Sequence, residues 1–393
     1  MNFSSQRSRI FVTCNRGLAP YVEREVSELG FSPTALPMGV ELQGTLNDCI
    51  RLNLNLRCAS QVLYSLRQFR CHDPDQLYEE VNRIAWEEIL PANGYFSVNS
   101  SVYHPTINST MFASVKVKDA IVDRLRGKTG GRPDCGSELR GAVVYLYWRD
   151  SQAEIYLDTS GETLAKHGYR LRPGKAPMME ALAAGTLLAS NWDRRVPFIN
   201  PMCGSGTVAI EAALLATRRS PGIYRDRFAF QYVVGYNADF FREQKSLVKA
   251  EVAQPESLKI VATDISPDAI ENAKANAVSA GVANLIQFEV CDFRETPLPS
   301  DEPFVIFFNP EYGERLGKAE ELAATYTAIG DFLKQKCGGS WGYVFTGNLD
   351  LAKKIGLRTK RRLEFHTANL ECRLLEFELY AGSRKSKYAT PNE

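Results

Sequence analysis

One stretch constrains the fold of this chain more than any other: an uninterrupted apolar run that stops at a proline. Residues Phe304 to Phe308 read Phe-Val-Ile-Phe-Phe, and Asn309 and Pro310 follow directly. Such a run is typical of a strand buried on both faces of a parallel sheet. Proline has no N–H to offer a sheet, so the strand must end there. Asn309, Pro310 and Tyr312 are therefore predicted at the carboxyl edge of the sheet, where ligands bind in open α/β folds.

The residue types at this strand end fit a reaction at an exocyclic amine on a flat ring. The Asn309 side-chain carbonyl and the Pro310 backbone carbonyl would accept both amine hydrogens and turn the lone pair toward an electrophile. Tyr312 would stack on the ring, a contact worth about 1 to 3 kcal/mol per base. A sulfonium methyl group needs no strong base, because positioning supplies much of the rate. An ordinary strand-to-loop turn is the other interpretation of the same residues.

Three further segments place glycines or carboxylates at predicted strand ends. A short strand runs into the turn Gly204-Ser205-Gly206, and the helix that starts near Thr207 would present free N–H groups to a carboxylate or phosphate. A second strand ends at Asp264, a carboxylate suited to ribose hydroxyls. A third ends at Asp292, which would accept a hydrogen bond from an adenine amine. Together with the first run, these segments predict successive strand ends of one doubly wound sheet.

A dinucleotide-binding domain is the main alternative for this half of the chain. Its fingerprint is Gly-x-Gly-x-x-Gly, with an acidic residue about 20 positions further on. Here the third glycine is replaced by Ala209, and Asp264 lies far beyond that offset. The Asn-Pro-x-Tyr element also has no role in hydride transfer, so the sequence favours transfer to an amine.

The motifs resemble those of S-adenosylmethionine-dependent amino-methyltransferases, whose signature is Asn/Asp-Pro-Pro-Tyr/Phe. The segments 167–170 and 176–180, the turn Pro-x-Cys-Gly-Ser-Gly-Thr and the string Asn-Pro-x-Tyr-Gly-Glu-Arg are similar to those of the THUMP-domain-containing bacterial large-subunit (23S) rRNA guanine-N2 methyltransferases. The resemblance covers nearly the whole chain. It implies S-adenosylmethionine as the cofactor and RNA as the substrate. The favoured substrate is 23S rRNA, and tRNA is the alternative.

The resemblance also implies roles for individual residues. Gly204, Ser205 and Gly206 would lie beside the methionine part of the cofactor, and a base would have to leave its stack to reach Asn309, Pro310 and Tyr312. The predicted cofactor-binding residues are Pro201, Cys203, Gly204, Ser205, Gly206, Thr207, Asp264, Ile265, Asp292 and Phe293. Cys203 is expected to be a small neutral spacer, because no histidine is near it in sequence to activate a thiol.

The order of the predicted elements indicates three domains. Residues 1–70 resemble a ferredoxin-like α+β domain, 71–163 a THUMP RNA-binding domain, and 164–383 a Rossmann-like methyltransferase domain with an antiparallel edge strand. Helices are predicted over 76–90 and 176–190, and residues 384–393 form a basic tail. An insertion over 218–257 is either a lid or RNA-facing element, or a surface helix pair.

Composition excludes several classes of protein. The chain has 393 residues, 44% hydrophobic and 24% charged, with a net charge of +1, which is ordinary for a globular protein. No apolar run reaches the roughly 18 residues of a membrane span, and the first residues lack a signal-peptide core, so a cytoplasmic location is expected. Nine cysteines without a Cys-x-x-Cys pair and only four histidines indicate neither a zinc site nor a disulfide framework.

Basic residues cluster locally and are the predicted RNA contacts. Phosphates attract such clusters, although a solvated protein face looks the same in sequence. The predicted contacts are Arg126, Lys128, Arg132, Lys166, Arg170, Arg172 and Lys175.

One departure from the family pattern leaves other functions open. Glu311 stands where the family usually has a second proline. The acceptor pair survives this change, but a stiffening residue is lost and a carboxylate is placed beside the target amine. The alternatives are an adenine-N6 DNA or RNA methyltransferase, a tRNA guanine-N2 methyltransferase, and an RNA-binding assembly factor whose catalytic pocket has decayed. The sequence does not determine the modified nucleotide or the oligomeric state.

Overall fold

The computed structural model describes residues 3–105, 107, 109–174, 177–255, 258–313, 319–367 and 370–380. None of the helices in these ranges is both long and apolar enough to cross a membrane. The chain forms two compact units. Unit 1 contains Met1–Cys14, Leu18–His167 and Ser220–Glu251. Unit 2 contains Asn15–Gly17, Gly168–Arg219 and Val252–Glu393.

The helices and strands are numbered in chain order. The helices are α1 Ala19–Glu28, α2 Leu46–Asn55, α3 Pro74–Asn82, α4 Thr110–Thr129, α5 Glu180–Ala189, α6 Thr207–Ala216, α7 Ala238–Ala250, α8 Pro267–Ser279, α9 Ala319–Lys336 and α10 Leu349–Lys354. The strands are β1 Ser8–Thr13, β2 Thr34–Leu36, β3 Gly39–Gly44, β4 Gln61–Arg70, β5 Tyr95–Tyr103, β6 Asp134–Cys135, β7 Ala142–Arg149, β8 Gln152–Asp158, β9 Phe198–Pro201, β10 Ile260–Asp264, β11 Ile286–Val290, β12 Val305–Phe308, β13 Trp341–Thr346, β14 Arg361–Thr367 and β15 Leu370–Glu378.

Unit 1 is built on one continuous sheet of eight strands. The strand order is β2-β3-β1-β4-β8-β7-β5-β6. The first four strands come from the predicted ferredoxin-like segment and the last four from the predicted THUMP segment. Pairing of β4 with β8, from Leu63 opposite Asp158 to Arg70 opposite Gln152, joins the two segments into one sheet. Strands β7 and β8 form a hairpin, and Asp150 in its turn has a φ of 53°.

Most of the insertion, Ser220–Glu251, is part of unit 1, and neither interpretation of the sequence predicted this. Its aromatic rings Phe228, Phe230 and Phe241 pack on one another, with ring centroids 5.0 to 6.1 Å apart. Gly222 lies against the end of α2, where an added Cβ would be 2.4 Å from the Leu54 carbonyl oxygen. The insertion therefore extends the core of unit 1 instead of forming a separate lid.

Unit 2 is a seven-stranded doubly wound sheet in the order β11-β10-β9-β12-β13-β15-β14. The first five strands in this order are parallel to one another, and β15 pairs antiparallel with both β13 and β14. The predicted antiparallel edge is thus confirmed. The chain winds outward from β9 to β11, returns to place β12 beside β9, and then winds the other way. The order of strands reverses between β9 and β12, which is where ligands bind in such sheets.

Two predicted helices are shorter than expected. The helix predicted over 76–90 ends at Asn82, and a separate 3-10 turn follows over Trp86–Glu88. This turn buries the Trp86 ring completely and lets its indole N–H donate to the Val81 carbonyl at 2.8 Å. The helix predicted over 176–190 begins only at Glu180, because Met179 is extended with a ψ of 140°.

Candidate active site

The candidate active site lies where the strand order of unit 2 reverses. Ile306 of β12 lies opposite Ile199 of β9 in parallel register, so Asn309, three positions on, follows β12 at the level where Met202 follows β9. The Asn200 side-chain amide donates to a backbone carbonyl of β12 at 2.8 Å and ties the two strands together. The asparagine motif and the glycine turn therefore leave adjacent strands at one edge of the sheet.

The glycine turn has the conformation that glycine favours. Gly204 and Gly206 have φ values of 55° and 82°, in the left-handed region. The Gly206 N–H donates to the Cys203 carbonyl at 2.9 Å and closes the turn, and α6 begins at the next residue. Burial, with the Asp264 carboxylate adding to it, raises the pKa of the Cys203 thiol. The thiol is therefore neutral, in keeping with a spacer.

Asp264 holds the turn in place. One of its carboxylate oxygens accepts from the Gly204 N–H at 2.9 Å, and the other accepts from the Ser266 N–H at 3.0 Å. The same side chain thus orients the glycine turn and the start of α8. Each oxygen has a second lone pair, so the carboxylate keeps the capacity to accept from ribose hydroxyls.

A cavity of about 350 Å³ opens beside this carboxylate, near the lower end of the range of about 300 to 1,000 Å³ usual for ligand sites. Four of the predicted cofactor residues line it, and Ile265 among them is an apolar side chain left 71% exposed. The lining residues are Met202, Asp264, Ile265, Cys291, Asp292, Phe293, Arg294, Ala324, Thr325 and Ala328. The α9 residues among them are small and share one helix face, a contribution that sequence reasoning missed.

Asp292 is held by its neighbour Arg294. The Arg294 backbone N–H and its Nε both donate to one carboxylate oxygen, at 2.9 and 2.8 Å, and its Nη2 donates to the other at 2.8 Å. These hydrogen bonds lower the pKa of Asp292, so the group is an anionic acceptor at neutral pH. Arg294 was not predicted, and its position two residues after the acid is the only signal of it in the sequence.

Phe293 connects the cavity to the asparagine motif. Its ring lines the cavity and also packs edge-on against Phe308, with centroids 5.8 Å apart. Phe308 is the last residue of β12, directly before Asn309. The ring that lines the cavity is therefore in direct contact with the residue that precedes Asn309.

Asn309 has the clearest functional signal in the site. Its Oδ1 atom is buried and has no hydrogen-bond partner among the residues that the structure describes. Leaving a buried amide oxygen unsatisfied costs about 1 to 3 kcal/mol, and a hydrogen-bond donor on a bound substrate would recover that cost. Pro310 is buried, whereas Glu311 is exposed.

Tyr312 is half-buried and held by the antiparallel part of the sheet. Its ring packs edge-on against Phe345 with centroids 6.3 Å apart, and its hydroxyl interacts with Cys372 and Thr367. An added Cβ at Gly347 would be 2.9 Å from two ring carbons of Tyr312, so only glycine fits there. Burial raises the pKa of Tyr312, which therefore offers a neutral ring and no base. The glutamate and arginine that complete the motif lie outside the described residues.

Arg170 corrects one of the RNA predictions. Its side chain is only 14% exposed, and its Nη2 donates to the Met178 carbonyl at 2.6 Å and to the Thr207 hydroxyl at 3.0 Å. Glu180 lies 3.4 Å from the same nitrogen. A guanidinium held in this way supports the start of α6, and we remove it from the candidate phosphate contacts.

Asn276 is a second supporting residue that sequence reasoning missed. Its amide donates to the carbonyls of Arg172 and Ser205 at 2.9 and 3.1 Å, and its oxygen accepts from the N–H groups of Leu171 and Arg172 at 2.9 Å each. A single buried side chain of α8 therefore connects segment 171–172 to the glycine turn. An asparagine inside a helix carried no signal of this role.

The other predicted RNA contacts fall on both units. Arg126, Lys128 and Arg132 are exposed at and just after the last turn of α4, and Lys166 and Arg172 are exposed as well. Lys175 lies outside the described residues. These positions stay predictions, because exposed cations are compatible with RNA contact and with a solvated face alike.

One group of side chains in unit 2 has the composition of a metal site. Potential ligand atoms of Glu364, His366 and Glu371 all lie within 4.8 Å of one another. Arg373 lies 3.6 Å from Glu364 and 2.5 Å from Glu371, so a cation of the protein already pairs with both carboxylates. We assign no metal to this group. All nine cysteines are free thiols.

Comparison with known families decides the classification. A family model described as the RMKL-like methyltransferase domain matches residues 167–376, more than half of the chain. The chain belongs to the RMKL-like methyltransferase family. Further models match an RlmL ferredoxin-like domain over residues 9–63 and a THUMP domain over 71–158. The predicted fold, with ferredoxin-like and THUMP segments before a Rossmann-like methyltransferase sheet, is confirmed.

Individual relatives of this RMKL-like chain extend over nearly all of it. The ribosomal RNA large subunit methyltransferase K/L of Syntrophotalea carbinolica is 34% identical over 94% of this chain and 53% of its own length. The chain therefore spans about half the length of the curated K/L relatives it matches. A candidate RNA methyltransferase of Synechocystis is 31% identical over 96% of this chain and 98% of its own length. A crystal structure from Listeria monocytogenes, described as a predicted N6-adenine-specific DNA methylase, has a TM-score of 0.86 at 29% identity and covers 96% of this chain and 97% of its own.

Proposed function

We propose that this protein transfers a methyl group from S-adenosylmethionine to the exocyclic N2 amine of a guanine in RNA, with 23S ribosomal RNA as the first candidate substrate. One observation carries the proposal. The buried Asn309 Oδ1 has no partner among the described residues and follows the strand beside the glycine turn. An amide oxygen in this position is suited to accept a hydrogen bond from a substrate amine.

The residues of the site fit S-adenosylmethionine. The cofactor supplies a methyl group on a positively charged sulfur, so the protein has to bind and orient it. The open space at Gly204 and the start of α6 suit the methionine carboxylate, because helix amino ends attract anions. Asp264 suits the ribose hydroxyls, and the cavity lined by Ile265 and Phe293 suits the adenine ring.

The roles of the asparagine motif follow from hydrogen-bond chemistry. Asn309 and the Pro310 carbonyl would accept the two amine hydrogens, which directs the nitrogen lone pair away from the ring plane. The neutral ring of Tyr312 would support the flat base. After transfer the nitrogen carries one extra proton, and exposed Glu311 or water would take it. Positioning of this kind contributes much of the rate without a strong base.

RNA as the substrate is supported by the domains that the chain contains and by the names of its relatives. The THUMP match lies within unit 1, and two relatives that align with 94% and 96% of this chain are named as RNA methyltransferases. The Asn-Pro-x-Tyr element would also serve an adenine N6 amine, the activity named for the Listeria protein. The experiment must therefore distinguish the two amines.

The test uses the full chain with isotopically labelled S-adenosylmethionine and ribosomal RNA from a strain that lacks the gene. Nucleosides from the digested RNA are separated by mass spectrometry. We expect labelled N2-methylguanosine with the wild type and at least about 100-fold less with Asn309→Ala in the same reaction time. Label in N6-methyladenosine, or label in duplex DNA but not in RNA, would reverse the assignment.

Calorimetry with S-adenosylmethionine distinguishes an active enzyme from a protein whose catalytic pocket has decayed. The wild type is expected to bind S-adenosylmethionine, and Asn309→Ala should bind it equally, because the asparagine contacts the base. A chain that binds RNA but no cofactor would be the assembly factor with a decayed pocket.

A further inference from the structure

The sheet of unit 1 has an open face with a large cleft. The cleft has a volume of about 740 Å³, and all of its lining residues belong to unit 1. Along β7 the side chains alternate: Leu146 and Trp148 are fully buried, whereas Tyr145 and Tyr147, each one position before them, are part-exposed and line the cleft. The cleft thus occupies the face opposite the buried core of the sheet.

Tyrosine rings dominate this cleft. At its rim, Tyr103 of β5 and Tyr147 of β7 have ring centroids 6.3 Å apart, and Tyr103 is 63% exposed. On its floor, Tyr145 and Tyr156 have centroids 6.4 Å apart, and the Tyr145 hydroxyl donates to Ser101 Oγ at 2.6 Å. Two of the rings are therefore fixed, and two present exposed surface above them.

Positive charge lies at one end of the cleft. Gln152 of β8 is directly opposite Arg149 of β7 on one side and Arg70 of β4 on the other. Directly paired residues in a sheet share a face, so the two arginines lie on the cleft side about 10 Å apart, two strand spacings. The Arg149 side chain is 68% exposed, and Arg70 is exposed too. Within the described part of the chain, Arg70 forms no ion pair.

The arginine inside the cleft has a different role. Arg9 forms ion pairs with Glu41 and Glu154, and its Nη2 donates to the Tyr156 hydroxyl at 2.7 Å. One guanidinium therefore faces two carboxylates, and the floor of the cleft carries no excess positive charge. Cations available to a phosphate lie at the other end, beyond the tyrosines: Arg70 has no ion pair within the described residues, and Arg149 is 4.0 Å from the largely exposed carboxylate of Asp150.

We propose that this cleft binds a short unpaired stretch of RNA, with bases stacked on Tyr103 and Tyr147 and phosphates held by Arg149 and Arg70. Every base has a face that stacks on an aromatic ring, and arginine suits phosphate because its donors are planar and bidentate. Bases in a duplex cannot reach such rings, so the occupant is single-stranded. The inference rests on the proposed RNA substrate and adds a second contact region, on the face of unit 1 opposite its buried core.

The test measures binding of a fluorescein-labelled oligouridine of about twelve nucleotides, within the site sizes of single-strand binders. Anisotropy titrations with the full chain compare Tyr103→Ala and Tyr147→Ala with the wild type. Each change should weaken binding about tenfold, which corresponds to about 1.4 kcal/mol. Tyr103→Phe and Tyr147→Phe keep the ring and should bind as the wild type does. Tyr232→Ala, at a tyrosine 37% exposed that does not line the cleft, is the matched control and should have no effect.

The phosphate contacts have a separate readout. Arg149→Gln should reduce by about one the slope of log affinity against log salt, because one fewer counterion is released. Photo-crosslinking followed by mass spectrometry should place the oligonucleotide on peptides that contain Tyr103 or Tyr147. Crosslinks on α4 instead, at Arg126 and Lys128, would overturn the proposal. Binding of a proline-rich peptide to the cleft without competition from RNA would overturn it as well.

Failure of the cleft and failure of the proposed enzyme are distinguishable. Both alanine variants should bind S-adenosylmethionine as the wild type does, since their positions lie in unit 1. If the wild type methylates RNA but the tyrosine variants change neither oligonucleotide affinity nor the KM for RNA, the cleft inference is wrong and the enzyme stands. If oligonucleotide binding depends on the tyrosines but no methyl group is transferred, the proposed RNA-binding role of the cleft is supported and the proposed enzymatic function is wrong.

Discussion

Replacing Gly206 with alanine should damage unit 2 far more than the same change two residues earlier. Gly206 has a φ of 82°, and a Cβ built there would lie 2.8 Å from the Ala273 Cβ and 3.2 Å from its Cα. A left-handed conformation costs a non-glycine residue about 1 to 2 kcal/mol. Forcing α6 and α8 apart by a methyl group adds about 1 to 3 kcal/mol. The free energy of unfolding should therefore fall by about 2 to 5 kcal/mol in Gly206→Ala.

Gly204→Ala is the matched control for this change. Gly204 has a φ of 55°, near the centre of the left-handed region, and a Cβ there would have no heavy atom within 4 Å. The expected loss of stability is about 1 kcal/mol, because strain acts without a clash. The N–H that donates to Asp264 is kept. The added methyl group would, however, occupy space that we assign to the cofactor, so the affinity for S-adenosylmethionine should fall more than tenfold.

The two variants thus separate the structural role of the turn from its binding role. Urea denaturation followed by the fluorescence of the unit 2 residues Trp192 and Trp341, with the unit 1 tryptophans replaced by phenylalanine in all samples, measures the stability difference. Calorimetry measures the affinity for the cofactor. The reasoning would be refuted if Gly204→Ala were the less stable variant, or if it bound the cofactor as tightly as the wild type.

Three further predictions concern single side chains. Asn309→Ala should lower kcat about 100-fold or more, as loss of one preorganised hydrogen-bonding group does in other enzymes. Its affinity for S-adenosylmethionine should be unchanged in calorimetry. A loss of cofactor affinity as large as the loss of kcat would count against a role at the base. Glu311→Pro should raise methyl transfer in the labelling assay if the natural loop is impaired. An unchanged rate would mean that the exposed glutamate has no effect on the rate of transfer. Burial raises the pKa of Asp158 to about 7. Between pH 5 and pH 7 the folded state therefore binds a proton that the unfolded state lacks. The free energy of unfolding should fall by up to about 1.4 kcal/mol per pH unit as the pH rises through this range. Asp158→Asn should remove this slope from hydrogen exchange of the β8 amides, and an equal slope in both proteins would contradict the assignment.

Local sequence patterns predicted much of this protein because they report local causes. An apolar run that stops at Pro310 requires a buried strand with a defined end, whatever surrounds it. The Gly204 to Gly206 turn requires left-handed backbone that glycine supplies at no cost, and both glycines have that conformation. Since parallel strands expose their carboxyl ends at one edge, the sequence pattern alone assigns these strand ends to one site.

The tertiary structure decided what depends on contacts between distant residues. The sequence could not show that Arg170 is mostly buried, because its partner Thr207 is 37 positions away. In sequence Arg170 looked equivalent to its basic neighbours. Continuity of the sheet in unit 1 depends on the register of β4 against β8, and the insertion belongs to unit 1 because its aromatic rings and Gly222 fit the core there. The tyrosine cleft likewise requires strands from both halves of that sheet to be neighbours. Periodicity tells which residues of one strand share a face, but only pairing between strands decides which faces meet, and that pairing is set by the free energy of the whole fold.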